Sequence, residues 1–314
     1  MRSVTRWLLV LLAGLALCAP LVAAKAKRPK VAVVVASVSI GGEGRRKDDA
    51  DVSVMAGYVK GKGWLNSEKA GPLMRKGDRM GLYTLDPLAQ RVGQVEMTNN
   101  GQDLGADEEA SEWGWVVEAR VIQPLRDKTV VGVWRTFEER VGQSAEGKAV
   151  VGIWRAPTAP EPKWVTGKRL SPDNVVYRAE VLAWLKKRGV SEPARRQVEV
   201  REIIKADLNG DKRDEVLISF HSPQADQFNN PEMPKPRYSY LVMRSLPRGS
   251  PTPRTTIVND DCASVHYVDG LCDLDGDGWA EIISHDGAQD YGTDWIHYWN
   301  GKGFRSVSGC GGGA

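Results

Sequence analysis

Two nine-residue segments gather side-chain oxygens in one shared pattern. Asp207, Asn209, Asp211 and Glu215 occupy positions 1, 3, 5 and 9 of the first, with Gly210 at position 4. Asp273, Asp275, Asp277 and Glu281 occupy the same positions of the second, with Gly276 at position 4. Alternate short side chains converge on one point only where the backbone curls tightly, and glycine allows that curl without a Cβ clash. Such a ring of hard oxygens suits calcium, which takes six to eight oxygen ligands at about 2.3–2.6 Å. The main-chain carbonyls of Arg213 and Trp279, at position 7, would add a ligand each, and Glu215 or Glu281 would close the shell. The plain alternative is a pair of acidic hairpin turns, because Asp, Asn and Gly tolerate turn geometry. It leaves unexplained why like charges crowd into nine residues with no cation between them. The second loop fits the metal pattern more closely, since Asn209 removes a charge from the first and Lys212 replaces the glycine at position 6. An EF-hand is excluded: position 12, a bidentate glutamate in that motif, is Ile218 in one loop and Ser284 in the other.

A Val/Ile-rich run follows each loop and reads as a strand, so the loops are expected at the mouths of β-hairpins. The phrase D-L-[DN]-G-D-x-x-x-E followed by such a strand resembles FG-GAP or VCBS-type repeats. The segment from Trp295 to Phe304, with the Asn300-Gly301 turn, resembles the hairpin that ends such a repeat. The resemblance covers roughly residues 171–310 and none of residues 31–165. It implies structural calcium at Asp207, Asn209, Asp211, the Arg213 carbonyl and Glu215, and at Asp273, Asp275, Asp277, the Trp279 carbonyl and Glu281. Both loops end in glutamate where many members of the family have aspartate. A propeller typically needs at least four blades, and two repeats are too few.

The fold is therefore expected to be mainly β with one capped α-helix. A β-rich N-terminal module spans residues 31–155, and a Pro-rich spacer spans 156–166. A small two-repeat FG-GAP-like β domain with its helix, not a complete propeller, fills 167–310. In the first module, strands are expected at 31–39, 80–85, 91–97, 116–122, 130–137 and 148–154. The last two share the phrase V-V-G-[VI]-W-R. The helix is expected to start after Ser171 with Pro172 at its first position, and to bury Val175, Ala179, Leu182 and Leu185 in one stripe. Lys186, Lys187 and Arg188 should fill its last turn and Gly189 should end it.

Residues 1–24 carry Arg2 and Arg6, an apolar run and the small-residue end Val22-Ala23-Ala24, the order of a secretory signal. A lipid anchor on Cys18 and a retained membrane anchor are the minor alternatives. Without Arg2 and Arg6 the formal charge falls from +3 to +1, which argues against nucleic acid as a partner. After cleavage Cys262, Cys272 and Cys310 remain, and Cys262–Cys272 is the candidate disulfide. The four histidines are too scattered for a zinc site.

These features point to an exported protein, periplasmic or extracellular, stabilised by two structural calcium ions. It would bind or scaffold an unidentified protein or carbohydrate, with no transmembrane segment once the signal is removed. His285, Asp290, Trp295 and Trp299 are the candidate ligand surface, with Trp113 and Trp115 as further aromatics. The alternative is a hydrolase-like enzyme using the acidic loop 285–294, through Asp286, Asp290 or Asp294. No common catalytic sequence motif supports it.

Overall fold

A computed structural model describes residues 32–40, 48–84, 90–103, 115–123, 150–159, 161–223, 238–260, 264–287 and 291–313. The expectations for residues 1–24, the strand at 130–137, Cys262, Asp290 and Trp113 lie outside these residues.

The first part of the chain runs β1 (Ala32–Ile40), β2 (Asp49–Val59), β3 (Gly63–Asn66), a single helical turn α1 (Ser67–Ala70), β4 (Arg79–Thr84), β5 (Gln90–Met97), β6 (Gln102–Asp103), β7 (Trp115–Gln123) and β8 (Val150–Arg155). Every pairing is antiparallel. β1 pairs with β2 and β8, β8 with β4, β4 with β5, β5 with β7, and β7 returns to β2. Six strands thus close into a ring, with β3 and β6 paired outside it. Closure leaves the ring strands no open edge. Val35, Val54, Leu82, Val95 and Val117 are wholly buried within it. The sequence reading missed β2 and β3. The signal for β2 was present: Asp49, Asp51 and Ser53 alternate with the buried Ala50, Val52 and Val54, the period of a half-buried strand.

The rest of the chain adds β9 (Lys163–Trp164), β10 (Lys168–Leu170), α2 (Val175–Lys187), α3 (Glu192–Arg196), β11 (Glu199–Ala206), β12 (Glu215–His221), β13 (Ser239–Ser245) and β14 (Arg254–Asn259). It ends with β15 (Val265–Asp273), β16 (Glu281–Gly287), β17 (Tyr291–Trp299) and β18 (Phe304–Gly313). β11–β14 form one antiparallel meander and β15–β18 another, so the repeat seen in the two loops is a repeat of whole sheets. Among the described residues no complete propeller is present.

The spacer does not run free. Ala156 and Ala159 are buried, β9 extends the second meander at its β15 edge, and β10 extends the first at its β11 edge. Residues 163–170 therefore strap the two sheets together. Gly167 stands at the crossing, where a Cβ would meet Ile204 Cγ2 at 2.6 Å.

The layers follow from which faces are apolar. Val268, Leu271 and Ile282 of the second sheet pack on Ile204, Leu217, Leu241 and Met243 of the first. The opposite face of the second sheet, with Cys272, Ile283 and Ile296, joins the core of the ring. Trp64 stacks on Tyr298 across this junction, with centroids 5.9 Å apart. The outer face of the first sheet is covered by α2, which buries Val181 and Leu185 against Ile203, Ile218 and Phe220. The helix starts later than expected because Asn174 is its cap, its side chain accepting from the Val176 and Tyr177 N–H groups. The stripe rotates accordingly, leaving Val175 78% exposed. Gly189 does end the helix, with φ of +79°. Among the described residues no helix is long and apolar enough to cross a membrane.

Candidate metal centre

Each acidic loop joins the first two strands of its meander, the first between β11 and β12 and the second between β15 and β16. Leu208 and Leu274, at position 2, are buried and pin each loop to the core. The loops touch: the Ala280 N–H donates to the Leu208 carbonyl at 2.7 Å.

In the second loop, Asp273, Asp275 and Glu281 bring carboxylate oxygens within 4.8 Å of one another. Asp273 is 5% exposed and Glu281 1%. Glu281 Oε2 accepts from the Leu274 N–H at 2.7 Å, and Asp273 Oδ1 from the Gly276 N–H at 2.7 Å. Gly276 and Gly278 take φ of +81° and +94°, the left-handed conformation that the curl requires. Burial, then repulsion from Asp277, pushes the Asp275 carboxyl up to about 6. Burial, then the Asp275 charge, raises Glu281 well above the ordinary range. Such carboxyls either take up protons or share a cation. The donor set is oxygen only, and the three acids are able to hold a metal ion. Asp277 is more exposed and spends Oδ1 on the Trp279 N–H at 2.7 Å.

The ring also contributes to this centre, which sequence reading missed. The buried Trp64 indole N–H is directed at Asp275 and favours its charged form, while falling short of full hydrogen-bond geometry. Tyr58 lies close enough that Asp275, Asp277 and Glu281, after burial, raise its phenol. Lys163 Nζ stands 3.8 Å from Asp273 Oδ2 on an otherwise exposed side chain. No local pattern marks Tyr58 or Trp64, which reach the loop only through packing of the ring on the second sheet.

The first loop has the same frame and a different interior. Glu215 is engaged at both oxygens, by the Leu208 N–H at 3.0 Å and by Asn209 Nδ2 at 3.1 Å. Asp275, the counterpart of Asn209, cannot donate in this way, so an amide proton fills in the first loop a role left open in the second. Asp207 accepts from the Asp211 and Lys212 N–H groups, and Asp211 from the Arg213 N–H. Among the described residues no second acidic group converges as the second loop does. Lys212 adopts φ of +67°, where its counterpart Gly278 is at ease. Lys212→Gly is expected to stabilise the protein by about 0.5–1 kcal/mol, read as a raised urea midpoint.

No family model, curated protein or solved structure matches this chain.

Of the candidate ligand surface, His285 does not share a face with Trp295 and Trp299. The segment read as a polar loop is largely the ladder of β16 and β17, in which His285 pairs with Asp294 and Ser284 with Trp295. Strand alternation therefore puts His285 and Trp295 on opposite faces. His285 stacks on Tyr267 and its Nδ1 lies 2.7 Å from Asp269 Oδ2. Trp299 stacks on Trp279 with centroids 4.7 Å apart, while Trp115 is packed tightly over Gly71. Of the acids of the enzyme alternative, the two described, Asp286 and Asp294, stand on opposite faces, paired with Thr293 and His285. Asp286 is wholly buried and accepts from the Thr293 N–H and Trp295 Nε1. Of the candidate disulfide pair only Cys272 is described, a free, fully buried thiol facing the ring core. Its pairing with Trp164 and Glu281 in the ladder fixes that direction. His221 is buried, with Nδ1 2.8 Å from the Ser222 carbonyl.

Proposed function

We propose that this is an exported binding or scaffolding protein whose second acidic loop holds a structural calcium ion. The observation that carries the reading is the convergence of Asp273, Asp275 and Glu281 within 4.8 Å, with two of the three residues almost fully buried. Oxygen-only donors and tight glycine turns suit calcium over softer metals. The ion would be structural because the loop lies at the junction of the ring and the second sheet. Calcium there would tie the loop to both, and an extracellular module works at dissociation constants of roughly 10⁻⁴–10⁻³ M. The first loop keeps its FG-GAP-like frame, and its Asn209 amide makes an ion there dispensable. One ion is therefore proposed where the sequence suggested two. The partner, a protein or a carbohydrate, would be met by another surface of the molecule.

The test is thermal unfolding of the full chain in chelator and then across a calcium titration. A melting temperature that climbs with calcium and saturates supports the reading, and a single equivalent bound in equilibrium dialysis supports one site. No climb at millimolar calcium would return the second loop to an acidic turn.

A further inference from the structure

The outer face of the first sheet is not wholly covered. A cleft of about 620 Å³ opens between the first turn of α2 and the β10 edge. That size lies within the range of roughly 300–1,000 Å³ found for small-molecule sites. Lys168 and Lys205 line it, and they are direct cross-strand partners in the β10–β11 ladder. Like charges directly opposite in a sheet repel. Lys205 is relieved by Asp214, at 3.0 Å, also in the wall of the cleft. Among the described residues no carboxylate pairs with Lys168, which is exposed. Two ammonium groups thus share one counter-charge.

The remaining walls add to the same sign. Asn174, the cap of α2, stands in the cleft, so the positive end of a thirteen-residue helix points into it. Thr166 and Tyr177 contribute hydroxyl-bearing side chains that suit polar groups of a small molecule. Val175 and Val176, the most exposed large apolar residues described, follow Asn174 in the first turn of the helix.

We propose that this cleft binds a small polar ligand through an oxyanion, a carboxylate, sulfate or phosphate held between Lys168 and Lys205. This rests on the reading of the molecule as a binding protein and is independent of the calcium ion. Asp214 then competes with the ligand for Lys205, so its removal strengthens binding.

The experiment is isothermal titration of the full chain at low salt, in chelator and again in calcium. The probes are a galacturonate disaccharide, sodium sulfate, inorganic phosphate and a neutral galactose disaccharide. Saturable binding of an anionic probe, about tenfold weaker in Lys168→Gln, is the expected result. Asp214→Asn should tighten the same probe several-fold. A preference for the galacturonate identifies an organic acid, and a preference for sulfate or phosphate identifies an inorganic ion or its ester. The proposal is overturned if no anionic probe binds at tens of millimolar. It is equally overturned if the neutral sugar binds as well as the acidic one, or if Lys168→Gln and Asp214→Asn both leave binding unchanged. Both changes are at exposed side chains of the wall, so loss of fold does not confuse the reading. Failure here with a calcium-dependent melting temperature intact removes the cleft and leaves the metal centre standing.

Discussion

Glu281→Gln should change sign with the medium, stabilising the protein slightly in chelator and removing most of its gain from calcium. At about 100 times the dissociation constant, a cation bound only by the folded state contributes about 2.7 kcal/mol. The glutamine keeps an acceptor for the Leu274 N–H, so the loop keeps its frame. It removes one of three crowded negative charges, and burial beside Asp275 is what raises the Glu281 pKa. Without metal, that charge is a cost, so the amide should be worth up to about 1 kcal/mol in chelator. With metal, the loss of a carboxylate ligand should eliminate most of the gain of about 2.7 kcal/mol. Urea unfolding in the two media reads both signs. A variant that keeps its calcium response places the cation elsewhere, and a variant that loses stability equally in both media makes Glu281 a packing residue alone.

The second large effect is on acid stability. His297 is wholly buried between the two sheets, with Nε2 2.8 Å from Ser284 Oγ and Nδ1 2.7 Å from Ser306 Oγ. Burial, with a contribution from His266, lowers its pKa to about 3. An unfolded histidine titrates near 6.5. Between these values the unfolded chain binds the extra proton, so stability is complete above about pH 6.5 and falls as the pH drops towards 3. At about 1.4 kcal/mol per unit, lowering the pH from 6.5 to 4.5 should cost about 2–3 kcal/mol through this residue. The raised carboxyls Asp275 and Glu281 act in the opposite sense, being stabilised by protons in the folded state. The effect is therefore read as the difference between the wild type and His297→Gln at each pH. That difference should shrink steadily on acidification, and a difference independent of pH would mean that His297 stays neutral in both states or is charged in both.

How much of this could be read from the chain depended on distance along it. The loops are local objects: Gly210, Gly276 and the alternating acids encode their curl within nine residues, and the structure has both as turns between strands. The β-rich character and the Gly189 stop are local in the same way. The helix start was misread by three residues because Ser171 and Asn174 are both competent caps, and packing on Ile218 and Phe220 favoured the second. Everything that depended on register was hidden. Whether His285 and Trp295 share a face is decided by how β16 pairs with β17, and a shift of one residue would reverse it. The thiol of Cys272 was a candidate for a disulfide by spacing, and its place in the ladder turned it into the ring core.

By itself the sequence determined two acidic loops of one design, each set before an apolar strand, in a chain made mostly of strands. Tertiary structure decided which of them gathers its carboxylates. Asn209 offers Glu215 a proton where Asp275 cannot, and the ring brings Trp64 and Tyr58 against the second loop only. It also closed the ring by pairing β2 with β7, and turned the proline-rich segment into a strap across two sheets. These outcomes rest on contacts between residues far apart in the chain, whose energy comes from buried area and matched register and leaves no local pattern to read.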